Sequence, residues 1–180
     1  IDAVPIVALV NFLIGVVIAY VLGVQAQRYG ATLFVADGIA LGICRELSPI
    51  LSSVLVAGRS GAAFTAQIGT MKVEDEIDAI STLGLSPIQV LVIPRLVALM
   101  VALPLLVFVG DVAGIAGGLL VGNWQLDIAP QVFMDRVHTA LELRHFVIGI
   151  AKSPVFAVVV AIIACGMGLQ VSRDARSLGQ

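Results

Sequence analysis

The stretch Arg59–Arg95, RSGAAFTAQIGTMKVEDEIDAISTLGLSPIQVLVIPR, decides how the rest of the chain is organised. It is a long interval of charge, small residues and turn formers within a sequence that is otherwise apolar. Acidic residues suit the first turn of a helix, and Gly84 and Pro87 are typical stop and turn signals. The stretch therefore predicts a short helix over about residues 72–84, outside the bilayer and between two spans. The residues alone leave open whether its acidic side is a solvated face or a docking surface for another protein.

The composition is that of an integral membrane protein. Of the 180 residues, 59% are hydrophobic and only 12% are charged, whereas a soluble domain has about 25% charged residues. One soluble core of this size cannot bury so much apolar surface. The net charge is −2, and no basic patch indicates nucleic-acid binding. Cys44 and Cys165 lie in apolar stretches and form neither a zinc-site pattern nor a disulfide framework.

Four apolar runs are each long enough to cross a bilayer, which takes about 20 helical residues. The predicted spans cover residues 3–24, 31–69, 96–121 and 146–171. Pro49 predicts a kink in the second span, because proline removes a backbone donor. The predicted fold class is thus an all-α polytopic bundle, a single transmembrane domain over residues 1–180. Since the chain has no initiator Met and ends in a polar segment, we expect it to be truncated at both ends.

Two further patterns concern helix packing and topology. Small residues at four-residue spacing, Gly58–Ala62–Ala66 and Gly61–Thr65–Gly69, predict close packing at the end of the second span. Asp127–His145 alternates apolar and charged residues at helical spacing, which predicts a helix resting at the membrane surface. Loop positions hold five Lys or Arg on one side against three on the other. This bias predicts a cytoplasmic central stretch and C-terminus, with the amphipathic helix in the periplasm.

Ionisable residues inside the predicted spans are the candidate functional residues, since they are costly in lipid and usually face a cavity or a partner. Arg45 and Glu46 lie in the second span, and Asp111 lies among glycines in the third. Adjacent side chains on a helix point about 100° apart, so Arg45 and Glu46 cannot easily pair with one neighbouring helix. They either line two walls of a polar cavity or form an ion pair that joins two helices. Asp111 is either a buried polar contact or a place on a substrate path, and Lys152 is expected to snorkel to the interface.

Three segments carry a resemblance to a known family: RELSPILSSVLVAGRSGAAFTAQIGTMKVEDEIDAISTLGLSPIQVLVIPR at 45–95, LPLLVFVGDVAGIAGG at 103–118 and KSPVFAVVVAIIACGMGLQVS at 152–172. They resemble the MlaE family, the permease subunits of ABC transporters that move phospholipids and related lipids in didermic bacteria and plastids. The resemblance implies a role in outer membrane lipid asymmetry, from the bacterial inner membrane rather than the plastid inner envelope. The family usually has an interfacial helix before the first span and a fifth span after the SLG segment, and neither is found in this sequence.

What the resemblance implies about partners and sites is specific. It implies a homodimer of permeases, two ABC ATPase subunits, a periplasmic MCE-type lipid-binding protein and a lipid substrate. The chain itself is expected to have no catalytic site, metal or cofactor, because ATP and Mg are bound by the partner ATPase. Arg45 and Glu46 match the family's Arg-Glu pair at the lipid cavity, and Asp111 matches an acidic position in the third span. The residues that match the coupling helix docked on the ATPase are Glu74, Asp75, Glu76, Asp78, Ala79, Leu83 and Gly84.

Two other functions suit a polytopic membrane protein. A secondary transporter would use Glu46 and Asp111 as proton or ion sites, although no internal repeat favours it. A non-transporting scaffold would not need Arg45 and Glu46 within a span. Enzymatic function is not indicated, since the sequence has no phosphate-binding loop, HExxH or GxSxG motif.

Overall fold

The computed structural model describes residues 3–171, and this part of the chain is almost entirely helical and contains no strand. Its helices are α1 (Val4–Tyr29), α2 (Phe34–Val73), α3 (Glu76–Thr82), α4 (Ile88–Leu126), α5 (Pro130–Ala140) and α6 (Leu143–Gln170). The all-α fold class is therefore confirmed. Arg173 and Arg176, which contribute to the predicted orientation, and the SLG segment at 177–179 lie outside the described residues.

Four helices, α1, α2, α4 and α6, are long and apolar enough to cross a membrane, which confirms the prediction of four spans. They contain 26, 40, 39 and 28 residues, where about 20 suffice. α4 begins at Ile88, well before the predicted start at residue 96. The charged Arg95 can lie inside α4 because its side chain has partners on α2. Its guanidinium donates to Gln67 Oε1 at 3.3 Å and lies 5.5 Å from the centre of the Phe64 ring.

The charged stretch that follows α2 folds as a turn and a short helix. Asp75 has φ of 58°, a left-handed conformation that interrupts the helical hydrogen-bond ladder between Val73 and Glu76. Gly84, at φ 78°, follows the end of α3. The helix predicted over residues 72–84 is therefore shorter, because its first residues belong to α2 and the left-handed Asp75 separates them from the rest.

The long helices α2 and α4 contain π-helical turns. Two such turns interrupt α2, at Ile43–Leu47 and Ala57–Gly61, and one forms the start of α4, at Ile88–Val92. The first of them lies just before Pro49, where the sequence predicts a kink. π-Helical turns are rare in proteins, and those that occur are often found at functional sites. The Ile43–Leu47 turn contains both members of the Arg45–Glu46 pair.

The chain forms two compact units, and the first comprises Ile1–Ser52 and Pro104–Ser153. Within it α1 and α4 touch through their backbones. A Cβ atom on Gly15 would lie 2.2 Å from the carbonyl oxygen of Gly114, and one on Gly117 would lie 2.3 Å from that of Phe12. Only glycine permits such an approach, and close backbone contact is a main source of helix association in lipid.

α5 packs its apolar side into the same unit. Phe133 and Val137 are buried in a core that includes Ile39 of α2 and Val121 of α4. On its polar side, Arg136 Nη1 lies 3.7 Å from Asp37 Oδ2. The amphipathic helix predicted over Asp127–His145 is shorter than expected, because Asp127 has a left-handed φ of 52° and Pro130 occupies the first helical position.

The second unit comprises Ser53–Leu103 and Pro154–Gln180. In it, α2 and α6 pack through small and hydroxyl-bearing residues. Thr65 Oγ1 donates to the carbonyl oxygen of Ala164 at 2.9 Å, and Lys72 Nζ donates to that of Leu169. Gly61 of the predicted small-residue pattern faces Ala164, whereas a Cβ on Gly58 would meet nothing within 4 Å. The pattern thus contributes to packing against α6 through one of its two rows.

Candidate functional site

Arg45 and Glu46 lie in the first π-helical turn of α2 and contact each other. Arg45 Nε is 3.4 Å from Glu46 Oε1, and both side chains are about half exposed, at 45% and 51%. Both also contact α6, through His145 and Lys152. The expectation that one helix cannot easily pair with both residues is therefore wrong, because α6 offers two side chains separated by two helical turns.

Lys152 joins this pair through two contacts. Its Nζ lies 2.9 Å from Glu46 Oε2 and 3.2 Å from the carbonyl oxygen of Arg45. That carbonyl is the one to which residue 49 would donate in a regular α-helix, and Pro49 has no N–H to give. The ammonium group of Lys152 therefore donates to an acceptor that proline leaves without its usual helical partner, instead of only snorkelling to the interface.

His145 completes the group on the other side of Arg45. Arg45 Nη1 lies 3.4 Å from His145 Nδ1. Because a guanidinium has donors only, the contact requires His145 to accept at Nδ1 and to carry its hydrogen on Nε2 in the neutral form. We refer to Arg45, Glu46, His145 and Lys152 as the basic cluster, since two permanent positive charges face one negative charge.

A close approach of two backbones brings these side chains together. A Cβ on Gly149 would lie 2.1 Å from the carbonyl oxygen of Cys44. His145, Gly149 and Lys152 are four and three residues apart, which places them on one face of α6. The spacing His–x3–Gly–x2–Lys is therefore a signal in the sequence for this face, although nothing in the sequence identifies its partner as α2.

Asp111 lies apart from the basic cluster. It is 2% exposed, and neither of its carboxylate oxygens has a hydrogen-bond partner. Asn11 of α1 and Ser48 of α2, both buried, pack beside Gly110. Sequence reasoning did not identify Asn11, although it is the one carboxamide in the apolar part of α1, residues 4–24. The predicted contact of Asp111 with substrate stays a prediction.

The predicted coupling residues form an exposed segment around α3. All seven are exposed: Glu74, Asp75, Glu76, Asp78, Ala79, Leu83 and Gly84. No residue of α3 is fully buried, and Leu83 is 75% exposed. Ile77 and Ile80 are half-buried. The segment therefore presents acidic groups and an exposed leucine next to each other.

Apolar space is found elsewhere in the first unit. A cavity of about 460 Å³ lies between α1 and α4, lined by Val16, Val17, Tyr20, Leu120, Val121, Trp124 and Gln125. No member of the basic cluster lines this cavity, so the volume of a cavity does not by itself indicate where the polar site lies. Within residues 3–171, no group of three or more His, Cys, Asp or Glu side chains is arranged to hold a metal ion.

Comparison with known proteins gives one consistent match. The family profile described as "Permease MlaE" matches residues 1–180. A probable ABC transporter permease protein of Rickettsia typhi is 37% identical over 176 residues, which are 98% of this chain and 68% of that protein. A probable ABC transporter permease protein of Synechocystis is 39% identical over 84% of this chain and 58% of its own length. The chloroplastic protein TRIGALACTOSYLDIACYLGLYCEROL 1 of Arabidopsis thaliana is 35% identical over 87% of this chain and 45% of its own length.

Proposed function

Because the chain belongs to the MlaE permease family, we propose that it is the membrane subunit that moves phospholipids or related lipids between the inner membrane and the periplasm or outer membrane. As an ABC transporter permease it is a multi-pass membrane component that does not hydrolyse ATP. The observation that carries the lipid assignment is the basic cluster, a group of ionisable side chains on an apolar span. Such groups are costly in lipid and are kept where they bind something.

The chemistry of the basic cluster suits a phosphodiester headgroup. Arg45 and Lys152 share the single carboxylate of Glu46, at 3.4 Å and 2.9 Å, so one net positive charge is left to a ligand. A guanidinium binds phosphate oxygens in a bidentate way, and an ammonium acts as a point charge. The half-exposed side chains of Arg45 and Glu46 leave room for a headgroup, while the apolar surface of the spans suits acyl chains.

Movement of lipid requires that the two conformational states differ in their affinity for it. We assign the driving force to two partner ATPase subunits, which would bind ATP and Mg and dock on the exposed segment around α3. α3 follows directly on α2 in the chain, and α2 carries Arg45 and Glu46. A second permease subunit and a periplasmic MCE-type lipid-binding protein complete the proposed complex. Its expected location is the bacterial inner membrane, although the Arabidopsis relative is named as chloroplastic.

Charge reversal at the coupling segment tests the ATPase partner. The double variant Glu76→Lys and Asp78→Lys should lose co-purification of the ATPase and ATP-dependent lipid transfer in proteoliposomes. The matched control is Asp135→Lys with Glu142→Lys, the same charge change on two other exposed acids, which should keep the ATPase bound. Retained association and transport in the first variant would refute the docking assignment. ATP-independent transfer would instead support a secondary transporter.

A second experiment tests the lipid contact. A photo-crosslinking residue at Ile50, on the exposed side of α2 just after the cluster, should capture lipid in the wild-type complex. Arg45→Glu should reduce this capture strongly, while Arg45→Lys should retain part of it because it keeps the charge. Arg144→Glu, an exposed arginine beside His145 in the chain, serves as the control. Equal crosslinking in Arg45→Glu and the wild type would mean that the cluster only joins α2 to α6.

A further inference from the structure

A buried polar group lies in the interior of the first unit, separate from the basic cluster. Asn11 of α1, Ser48 of α2 and Asp111 of α4 are 1%, 0% and 2% exposed. Asn11 and Ser48 meet at Gly110, where a Cβ would lie 2.8 Å from Asn11 Nδ2 and 2.6 Å from Ser48 Oγ. Asp111 is the next residue along α4. We refer to these three residues as the interior polar group.

The hydrogen bonds of the interior polar group leave several of its buried acceptors without a partner. Asn11 Nδ2 donates to the carbonyl oxygen of Val7 at 2.9 Å, and Ser48 Oγ donates to that of Val107 at 3.0 Å. Three buried oxygens remain without a partner, namely Asn11 Oδ1 and both carboxylate oxygens of Asp111. An ionised carboxylate in this environment would have no counter-charge among the described residues, which is costly for a buried acid.

No cation among the described residues compensates Asp111. α1 faces it with the neutral carboxamide of Asn11, and α2 faces it with the Ser48 hydroxyl and the Cys44 thiol, both buried. Within residues 3–171, Arg45, Glu46, His145 and Lys152 contact one another and form no hydrogen bond or ion pair with Asp111. The charge of an ionised Asp111 would therefore be uncompensated by any described side chain.

The packing favours a proton over a metal ion. Besides the contacts at Gly110, a Cβ on Gly114, one turn along α4, would lie only 2.7 Å from Ile43 Cγ2. A bound metal ion needs several oxygens arranged around its own volume, and the side chains packed against Gly110 and Gly114 leave little space. A proton adds no volume, removes the charge and converts one carboxylate oxygen into a donor, while Asn11 Oδ1 is an acceptor without a donor.

We propose that Asp111 is a proton-binding site of the membrane domain. In the packed interior its carboxyl group is neutral. When α1, α2 and α4 separate enough for water to enter, the O–H bond breaks, the proton passes to water and Asp111 becomes a carboxylate. Opening and closing of this unit is thereby linked to release and uptake of one proton. The proposal does not depend on the identity of the transported lipid.

Infrared spectroscopy of the permease in lipid nanodiscs tests the proposal. At about pH 6 an exposed aspartate, whose ordinary pKa is about 3.9, is ionised. The difference spectrum of wild type minus Asp111→Asn, in which the ester C=O bands of the lipids cancel, should nevertheless show a carboxylic-acid C=O band. The difference spectrum of wild type minus the control Asp135→Asn, which removes an exposed acid, should not show it. A first difference spectrum without the band would overturn the assignment.

A second measurement uses the wild type alone and does not require the variant to fold. A group that keeps its proton when folded and loses it when unfolded makes folding less favourable as pH rises. The unfolding temperature of the wild type should therefore fall between about pH 5 and pH 7, a range in which exposed aspartates are already ionised and which lies below the thiol pKa of about 8.5 that Cys44 and Cys165 have in the unfolded chain. A temperature that is independent of pH but rises with added Na⁺ or K⁺ would identify a metal ion instead and overturn the proton site.

Discussion

Gly149 offers a test of the geometry that forms the basic cluster. A Cβ at this position would lie 2.1 Å from the carbonyl oxygen of Cys44, which is 1.3 Å less than the 3.4 Å at which ordinary contact begins. The obstacle is backbone and not a flexible side chain, so it cannot rotate away. In Gly149→Ala, α2 and α6 must either tolerate the overlap or separate by about 1 Å.

Either response has a measurable magnitude. Overpacking of this kind costs about 1–3 kcal/mol, which corresponds to roughly a 5- to 150-fold change in the folding equilibrium at about 1.4 kcal/mol per factor of ten. If the helices separate, the Lys152 Nζ to Glu46 Oε2 distance of 2.9 Å should grow to about 4 Å, beyond hydrogen-bond range. We therefore expect lower unfolding stability in nanodiscs and a weaker lipid contact at Arg45.

Gly166→Ala is the matched control on the same helix. A Cβ on Gly166 would meet nothing within 4 Å, so this variant gains only the helix propensity of alanine, about 0.8–1 kcal/mol. The same gain applies to Gly149→Ala and cancels in the comparison. If chemical unfolding finds Gly149→Ala as stable as Gly166→Ala, and lipid crosslinking at residue 50 is unchanged, α2 and α6 do not approach each other at this point.

Two further predictions concern the separate packing of the two units. Phe133→Ala should destabilise the first unit by about 3–5 kcal/mol, because this ring is fully buried, whereas Val132→Ala, at an exposed position of α5, should cost far less. Equal costs in denaturant unfolding would mean that α5 is not anchored by Phe133. Thr65→Val should cost about 0.6 kcal/mol, the average for interhelical hydrogen bonds in lipid, because Thr65 Oγ1 donates to Ala164 of α6. Thr70→Val, whose hydroxyl donates within its own helix to Ala66, is the control, and a larger loss there would contradict the assignment.

The spans could be predicted because lipid imposes a simple requirement on sequence. Each span needs about 20 apolar residues, and the chain interrupts its apolar runs with charges and turn formers. The same requirement made Arg45 and Glu46 visible as exceptions. Helix ends were less predictable. Arg95 resembles a boundary but is accommodated inside α4 by Gln67 and Phe64, and no local pattern announces the left-handed Asp75, since the residue is not glycine.

The partners of the functional residues could not be predicted, because they come from distant parts of the chain. Lys152 and His145 are about 100 residues from Arg45 and Glu46. Their spacing around Gly149 defines a face of α6, but which helix that face contacts depends on packing. Asn11 could not be identified from the sequence for the same reason. The neighbours of a single asparagine in an apolar span are known only once α1 is packed against α4.

In the sequence, Pro49 and Lys152 are unrelated exceptions in two different apolar spans. In the structure they are connected through the carbonyl oxygen of Arg45. A carbonyl without a donor is costly at membrane depth, and Pro49 deprives Arg45 of its usual helical donor. Lys152 supplies a donor at 3.2 Å while it binds Glu46. The ammonium group is thus held by a backbone oxygen as well as by a carboxylate. Lys152 would therefore keep Glu46 and the α2 backbone bound when Arg45 turns from Glu46 towards a phosphate.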